Sequence, residues 1–259
     1  MKALKILLAV LISLFVSSAY AANITIYDKM GTGNGWYGAQ EDQSVEPGML
    51  TGQQWDLEAF VKNGSNLTIV GGWNFKRTDY PSGDIFFDVT GDAKWGSDSV
   101  SPTPSYGHQN NPNVWGYDYV LDMDWSTGAY NIISITGNAI LKTTLYPNYN
   151  LGSNPWIYVS GGTTVGSGIA TFETFSNNNI TPYGTFLGET NNNTHYALTI
   201  DDSFLGGRSY IAHFTMDCGN DDLMGQYTAV PEPATLLLLG LGLVGLAGAR
   251  RKFKKQRNT

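Results

Sequence analysis

The chain has 259 residues and a formal charge of −7, and its charges are distributed unevenly. Residues 23–229 contain seven basic and 21 acidic side chains, a formal charge of −14, whereas six of the last ten residues are basic. A surface as acidic as that of residues 23–229 repels nucleic acid, which excludes a nucleic-acid-binding function for this part of the chain. The single cysteine, Cys218, excludes an internal disulfide bond.

The N-terminus has the three parts of a cleavable signal peptide. Lys2 and Lys5 supply positive charge, an apolar run covers residues 6–16, and Ala-Tyr-Ala at 19–21 supplies the small residues that signal peptidase accepts. The apolar run is too short for a membrane-spanning helix. We therefore expect signal peptidase to remove residues 1–22, cutting after residue 21 or 22, and the rest of the chain to be exported.

Residues 23–229 are expected to form one all-β domain. Three segments, at 84–89, 117–125 and 210–216, alternate apolar and polar side chains, which is typical of strands with one buried face. Less regular strand candidates cover residues 24–27, 55–61, 67–70, 130–135, 139–146, 156–159, 169–175 and 196–200. The stretch at 97–112 is rich in Ser, Pro, Asn and Gly and is expected to be a long loop. Together these features predict an antiparallel β-sandwich or a jelly-roll-like domain.

Two acidic clusters are candidate calcium sites, because Ca²⁺ prefers carboxylate and amide oxygens as ligands. The first comprises Asp217, Asn220 and Asp221, next to a glycine that follows a predicted strand. The second comprises Asp84, Asp88 and Asp92, of which two share a strand face and the third lies in the turn that follows. The alternative for both clusters is that these side chains cap turns and face solvent. Calcium is the one cofactor that the sequence suggests.

Aromatic side chains offer another candidate binding surface. All seven tryptophans lie within residues 23–229, and most are expected in the core, where aromatic rings bury large areas. Trp36 and Trp95 stand in glycine-rich surroundings and are the candidates for exposed platforms on which sugar rings stack.

Motifs of known catalytic centres are missing from the sequence. The three histidines are not spaced as zinc ligands, and no G-x-S-x-G motif occurs. One alternative is a nucleophilic pair of His213 and Cys218. Against it, His213 lies on the polar face of its predicted strand, and Cys218 lies in the turn that follows. Another alternative is a pair of aspartates suited to glycoside hydrolysis.

The C-terminus combines a proline motif, an apolar segment and a basic tail. Val230-Pro231-Glu232-Pro233 is expected to be extended, because proline disfavours helix in the residue before it. Residues 234–249 carry no charge, and as a helix they would be about 24 Å long, shorter than a hydrocarbon core of about 30 Å. The basic tail at 250–259 begins with Arg250 and Arg251, and its long side chains extend this short transmembrane helix. Positive charge holds the tail in the cytoplasm and the body outside.

These C-terminal features resemble the PEP-CTERM sorting signal of Gram-negative bacteria. The resemblance covers residues 230–259 and rests on the motif at 230–233, the apolar helix at 234–249 and the basic tail. It implies recognition by an exosortase, a membrane-embedded cysteine protease-like enzyme, and an association with exopolysaccharide and biofilm matrix. It also implies that residues 230–233 are recognised by another enzyme and form no catalytic site of this one.

Three functions are compatible with these observations. The leading hypothesis is a non-enzymatic surface or extracellular-matrix protein, anchored in the inner membrane by its C-terminal helix and handled by signal peptidase and exosortase, with exopolysaccharide as a candidate partner. The second is a carbohydrate-binding module that uses exposed tryptophans and calcium. The third is a secreted hydrolase.

Overall fold

The computed structural model of the chain describes residues 21–27, 29, 45, 49–98, 106–147, 150, 152–176, 194–229, 240 and 242. The chain divides into two compact units, Met1–Tyr227 and Thr228–Thr259. Most of the predicted signal peptide lies outside the described residues. So does the predicted C-terminal helix, apart from Gly240 and Gly242, which are helical. Within the described ranges, no helix has both the length and the apolar character needed to cross a membrane.

The described part of the first unit is built from fifteen strands and three short 3₁₀ helices. The 3₁₀ helices are Gln53–Trp55, Gly96–Asp98 and Ser203–Leu205. The strands are β1 (Ala22–Asn23), β2 (Thr25–Ile26), β3 (Leu57–Asn63), β4 (Asn66–Gly71), β5 (Ile85–Asp88), β6 (Asn110–Pro112), β7 (Tyr119–Met123), β8 (Ala129–Ser134), β9 (Ile140–Lys142), β10 (Ile157–Ser160), β11 (Thr163–Ile169), β12 (Thr171–Ser176), β13 (Thr194–Asp201), β14 (Tyr210–Thr215) and β15 (Asp222–Tyr227).

All strand pairs in the described residues are antiparallel, and they form three sheets. A five-stranded sheet has the order β1-β3-β4-β13-β12, and a seven-stranded sheet has the order β11-β8-β7-β5-β14-β15-β2. A small third sheet has the order β10-β9-β6. The prediction of an all-β protein with antiparallel sheets is therefore confirmed.

The main core lies between the two large sheets. Apolar side chains from β3, β4 and β13 meet those from β5, β7 and β14, as expected for alternating strands whose apolar faces are turned toward each other. The fully buried members with the largest rings are Phe60, Trp73, Phe75, Phe87 and Phe214. This packing is that of a β-sandwich, and the finer jelly-roll assignment stays a prediction.

A second core covers the other face of the seven-stranded sheet. Phe86 and Val120 of this sheet pack with Leu141 of the third sheet and with the rings of Trp115 and Tyr117. All five side chains are at most 1 % exposed. The seven-stranded sheet is consequently buried on both faces at its centre, whereas the alternating sequence predicts one buried face and one polar face.

Three features differ from the sequence-based prediction. The predicted loop at 97–112 ends in strand β6, which pairs with β9. The predicted strand at 169–175 is broken at Ala170, which separates β11 from β12. Strand β15 was not predicted, because its five residues after Asp222 alternate poorly and contain Gly225. Gly225 is needed there, since a Cβ atom at this position would lie 2.8 Å from the ring of Phe60.

Candidate functional site

The turn between β14 and β15 contains the first predicted calcium cluster, and its side chains bind neighbouring segments of the protein. Asn220 accepts a hydrogen bond from the Leu50 N–H (2.8 Å) and donates one to the Leu50 carbonyl (2.9 Å). Asp221 accepts from the backbone N–H of Leu57 at 2.5 Å. Asp217 lies 2.9 Å from Nε2 of His108, and burial raises the pKa of its carboxyl. These side chains thus connect separate parts of the chain around the turn.

The second predicted cluster, on and after β5, is divided between two structural roles. Asp84 is fully buried, and its two oxygens accept the backbone N–H groups of Met123 (2.9 Å) and Tyr158 (2.7 Å). Asp88 accepts the backbone N–H groups of three residues in the turn after β5, at 90, 91 and 93. Asp92 is exposed and accepts from the hydroxyl of Thr90. Asp84 therefore joins strands, while Asp88 and Asp92 organise a turn.

The six predicted calcium ligands are divided among three sets of contacts. The first cluster bonds to segments around the turn between β14 and β15. In the second cluster, Asp84 bonds to β7 and β10, whereas Asp88 and Asp92 bond within the turn after β5. In the described ranges, no group of three or more His, Cys, Asp or Glu side chains has a metal-binding arrangement. Calcium binding stays a prediction, and the turn-capping alternative describes the contacts of Asp88 and Asp92 but not those of the other four residues.

The buried carboxyl of Asp84 leads to a testable pH dependence. Desolvation raises its pKa from 3.8 to about 8. Because the folded-state pKa lies above the unfolded one, the stabilisation from Asp84 is fully present below pH 3.8 and is lost as pH rises through about 8. We expect the difference in unfolding free energy between wild type and Asp84→Asn to shrink as pH rises between these limits. Urea denaturation at several pH values measures it, and a difference that grows with pH would contradict the assignment.

The three histidines lie in separate environments, and His108 is the one beside Asp217. His195 is fully buried and bonds to Glu58, with Nδ1 2.7 Å from Oε2. His213 is also fully buried, but its ring nitrogens contact the Met224 sulfur (3.2 Å) and the Pro155 carbonyl (3.0 Å). His213 lies on the face of β14 opposite Phe214, and this face is buried because the third sheet and the segment before β10 cover it.

Cys218 has the properties of a core residue. Its side chain belongs to the main core and is 7 % exposed. Burial raises the pKa of its thiol to about 11, so the reactive thiolate is scarce at neutral pH. The contacts of His213 are with Pro155 and Met224, so the structure does not bring His213 and Cys218 together as a nucleophilic pair.

Of the two tryptophans proposed as sugar platforms, only Trp95 lies within the described residues. Trp36 lies outside the described residues. The ammonium group of Lys29 lies 3.9 Å from the centre of the Trp95 ring, so one face of this ring is already in contact with a cation of the protein itself.

A cavity near the end of β3, with charged and aromatic residues in its walls, was not predicted from the sequence. It has a volume of about 240 Å³, and its walls include Lys62, Asp202, Arg208, Tyr210 and Tyr227. Lys62 lies on β3, Tyr210 on β14 and Tyr227 on β15, whereas Asp202 and Arg208 flank the third 3₁₀ helix. These residues come from distant parts of the chain, so no motif of regularly spaced residues predicts the cavity.

Comparisons with known proteins match the C-terminus. Residues 229–252 match the family model of the PEP-CTERM protein-sorting motif, which confirms the resemblance predicted from residues 230–233, Arg250 and Arg251. Residues 230–233, Arg250 and Arg251 lie outside the described part of the structure. The search of curated proteins gives no match. The search of solved structures gives none either. The chain thus carries a PEP-CTERM sorting motif at residues 229–252, which indicates an exported protein that is sorted at the membrane through exosortase.

Proposed function

We propose that this protein is a non-enzymatic component of the cell surface or extracellular matrix. The observation that carries the proposal is the PEP-CTERM match at residues 229–252, which follows an acidic body of all-β structure. In this proposal residues 1–22 are the signal peptide, residues 23–229 are the functional domain, and residues 230–259 are the sorting anchor. A body with a formal charge of −14 stays soluble and repels other anionic surfaces after export.

Anchoring is the first step that the proposal assigns to residues 234–249. The apolar segment holds the exported body at the inner membrane, and the basic tail stays in the cytoplasm. Exosortase then recognises residues 230–233 and releases the body to the cell surface or the matrix. Exopolysaccharide is the proposed partner there, since it is the main polymer of such a matrix.

The absence of an enzymatic activity is supported by the state of the nucleophile and base candidates. His195 is occupied by Glu58, and His213 by Pro155 and Met224. The Cys218 thiol has a raised pKa. A hydrolase of the Cys–His type requires a thiolate beside an imidazole, whereas the ring nitrogens of His213 contact Met224 and Pro155 and the Cys218 thiol has a raised pKa.

Processing tests the proposal directly. We expect the protein from the extracellular matrix fraction to lack residues 1–21 or 1–22 at its N-terminus, and also the apolar segment and basic tail at its C-terminus. Replacing Pro231, Glu232 and Pro233 together by alanine is expected to leave the C-terminus intact and the protein in the membrane fraction. Intact-mass measurement and cell fractionation record both outcomes.

Lys94→Ala in the exposed surface of the body is the matched control and is expected to be processed like wild type. A triple variant that reaches the matrix with the wild-type mass would contradict the role of residues 230–233. If the wild-type protein is absent from the matrix fraction and keeps residues 250–259, the C-terminal segment is instead a permanent membrane anchor.

A further inference from the structure

We propose that the cavity between Lys62 and Arg208 binds a carboxylate-bearing sugar unit of an acidic polysaccharide. This inference rests on the proposed matrix function and names the class of polymer that the body binds. It uses a site different from the exposed tryptophans and acidic clusters considered from the sequence. Four observations carry it: a free cation, a fixed ion pair, polar and aromatic walls, and a volume suited to a small ring.

Arg208 is the cation that remains free to bind an anion. Its Nε donates to the Leu205 carbonyl at 2.9 Å, and one Nη2 N–H points to the Tyr119 hydroxyl at 3.5 Å. No carboxylate pairs with Arg208 among the residues that the structure describes. Because a guanidinium group has five N–H donors, its outer edge can still bind a carboxylate through two parallel hydrogen bonds.

The remaining charges of the cavity cancel within the protein. Lys62 donates to Asp202 Oδ1 at 2.9 Å and to the Gly64 carbonyl. The other oxygen of Asp202 accepts from the hydroxyl of Tyr210 at 2.8 Å. Both oxygens of Asp202 are thus held by the protein, and Lys62 neutralises its charge. Arg208 leaves the cavity with one net positive charge on an otherwise acidic body, which suits a ligand with one negative charge per unit.

The walls favour a sugar over an acidic peptide. The half-buried ring of Tyr227 lies 5.2 Å from the Lys62 ammonium and 5.4 Å from the Tyr210 ring, and together the two tyrosines give the cavity an aromatic wall of the kind that packs against sugar C–H groups. The hydroxyls of Ser65 and Ser203 line the same cavity and are suited to hydrogen bonds with sugar hydroxyls. Acidic side chains of a peptide would use Arg208 but would leave these groups without matching partners.

Titration calorimetry of the mature exported protein with tri-galacturonate tests the inference. We expect measurable binding of this acidic trisaccharide and at least tenfold weaker binding of the neutral trisaccharide maltotriose. Arg208→Ala is expected to weaken tri-galacturonate binding at least tenfold. Arg208 is exposed, so the variant is expected to keep its fold, which thermal melting checks. Arg208→Gln provides a second variant with most of the side-chain length and no charge.

Lys94→Ala, which removes an exposed charge outside the cavity, is the control and is expected to bind within twofold of wild type. No binding of tri-galacturonate at millimolar concentration would overturn the inference. Equal weakening in Lys94→Ala and Arg208→Ala would do so as well. A glutamate tripeptide that binds as tightly as the sugar would refute the carbohydrate class. None of these results affects the fractionation test, so failure of the cavity and failure of the matrix function are distinguishable.

Discussion

Replacing His195 with alanine is expected to lower the free energy of unfolding by about 3–5 kcal/mol. His195 and Glu58 are both 0 % exposed, and Nδ1 of the imidazole lies 2.7 Å from Oε2 of the carboxylate. The second carboxylate oxygen accepts a hydrogen bond from the Gln53 amide at 2.5 Å. Without the imidazole, one oxygen of Glu58 loses its partner in a place that water does not reach. The ring of Phe175, stacked on His195, also loses its neighbour.

Urea denaturation at constant pH measures this effect. Glu173→Gln is the matched control, because Glu173 is an exposed acid on the neighbouring strand β12, and we expect a change within about 0.5 kcal/mol. Adding Glu58→Gln and the double variant completes a cycle that isolates the interaction energy of the pair. A loss below about 1 kcal/mol in His195→Ala would mean that the pair contributes little to stability.

The strands themselves were largely predictable, because alternation is a local property. In β7, Tyr119 and Leu121 turn one way and Val120 and Asp122 the other, and this period of two needs no knowledge of the rest of the chain. The sorting motif was predictable for a related reason. Another enzyme reads it as a short linear sequence, so the information lies in consecutive residues.

The burial of the polar side chains was not predictable in the same way. Alternation shows that His213 and Phe214 face opposite sides of β14, but it does not show what covers each side. In the structure both are fully buried, one in contact with Pro155 and the other in the main core. The covering layer is the third sheet, whose strands β6, β9 and β10 are short and irregular in sequence.

The proposed sugar cavity lies beyond sequence reasoning for a further reason. Lys62 is the polar residue near the end of a buried strand and resembles an ordinary exposed lysine in the sequence. Its burial with Asp202 and its place beside Arg208 depend on how the ends of β3, β14 and β15 meet. Net charge gave the opposite expectation, because the total of −14 does not show that Arg208, at this cavity, has no carboxylate partner among the described residues.

Phe86→Ala and Phe87→Ala are expected to destabilise the protein equally, by about 3–5 kcal/mol each. These neighbours on β5 point to opposite faces of the seven-stranded sheet, and both are 0 % exposed. Phe87 lies in the main core, and Phe86 lies in the second core under the third sheet. Each truncation removes a buried ring and leaves a cavity. By contrast, a sandwich with one solvated outer face predicts almost no loss for Phe86→Ala.

Urea denaturation of both variants distinguishes these two arrangements. Val165→Ala is the control, since Val165 is 55 % exposed on the edge strand β11, and its change is expected to stay within about 0.5 kcal/mol. Leu141→Ala removes a smaller side chain of the same second core from the third sheet, and a cost of about 2–5 kcal/mol is expected. A large loss for Phe87→Ala with less than about 1 kcal/mol for Phe86→Ala and Leu141→Ala would show that the third sheet does not cover this face. Equal losses would establish that the outer layer, which alternation alone does not reveal, holds the sandwich together as firmly as its central core.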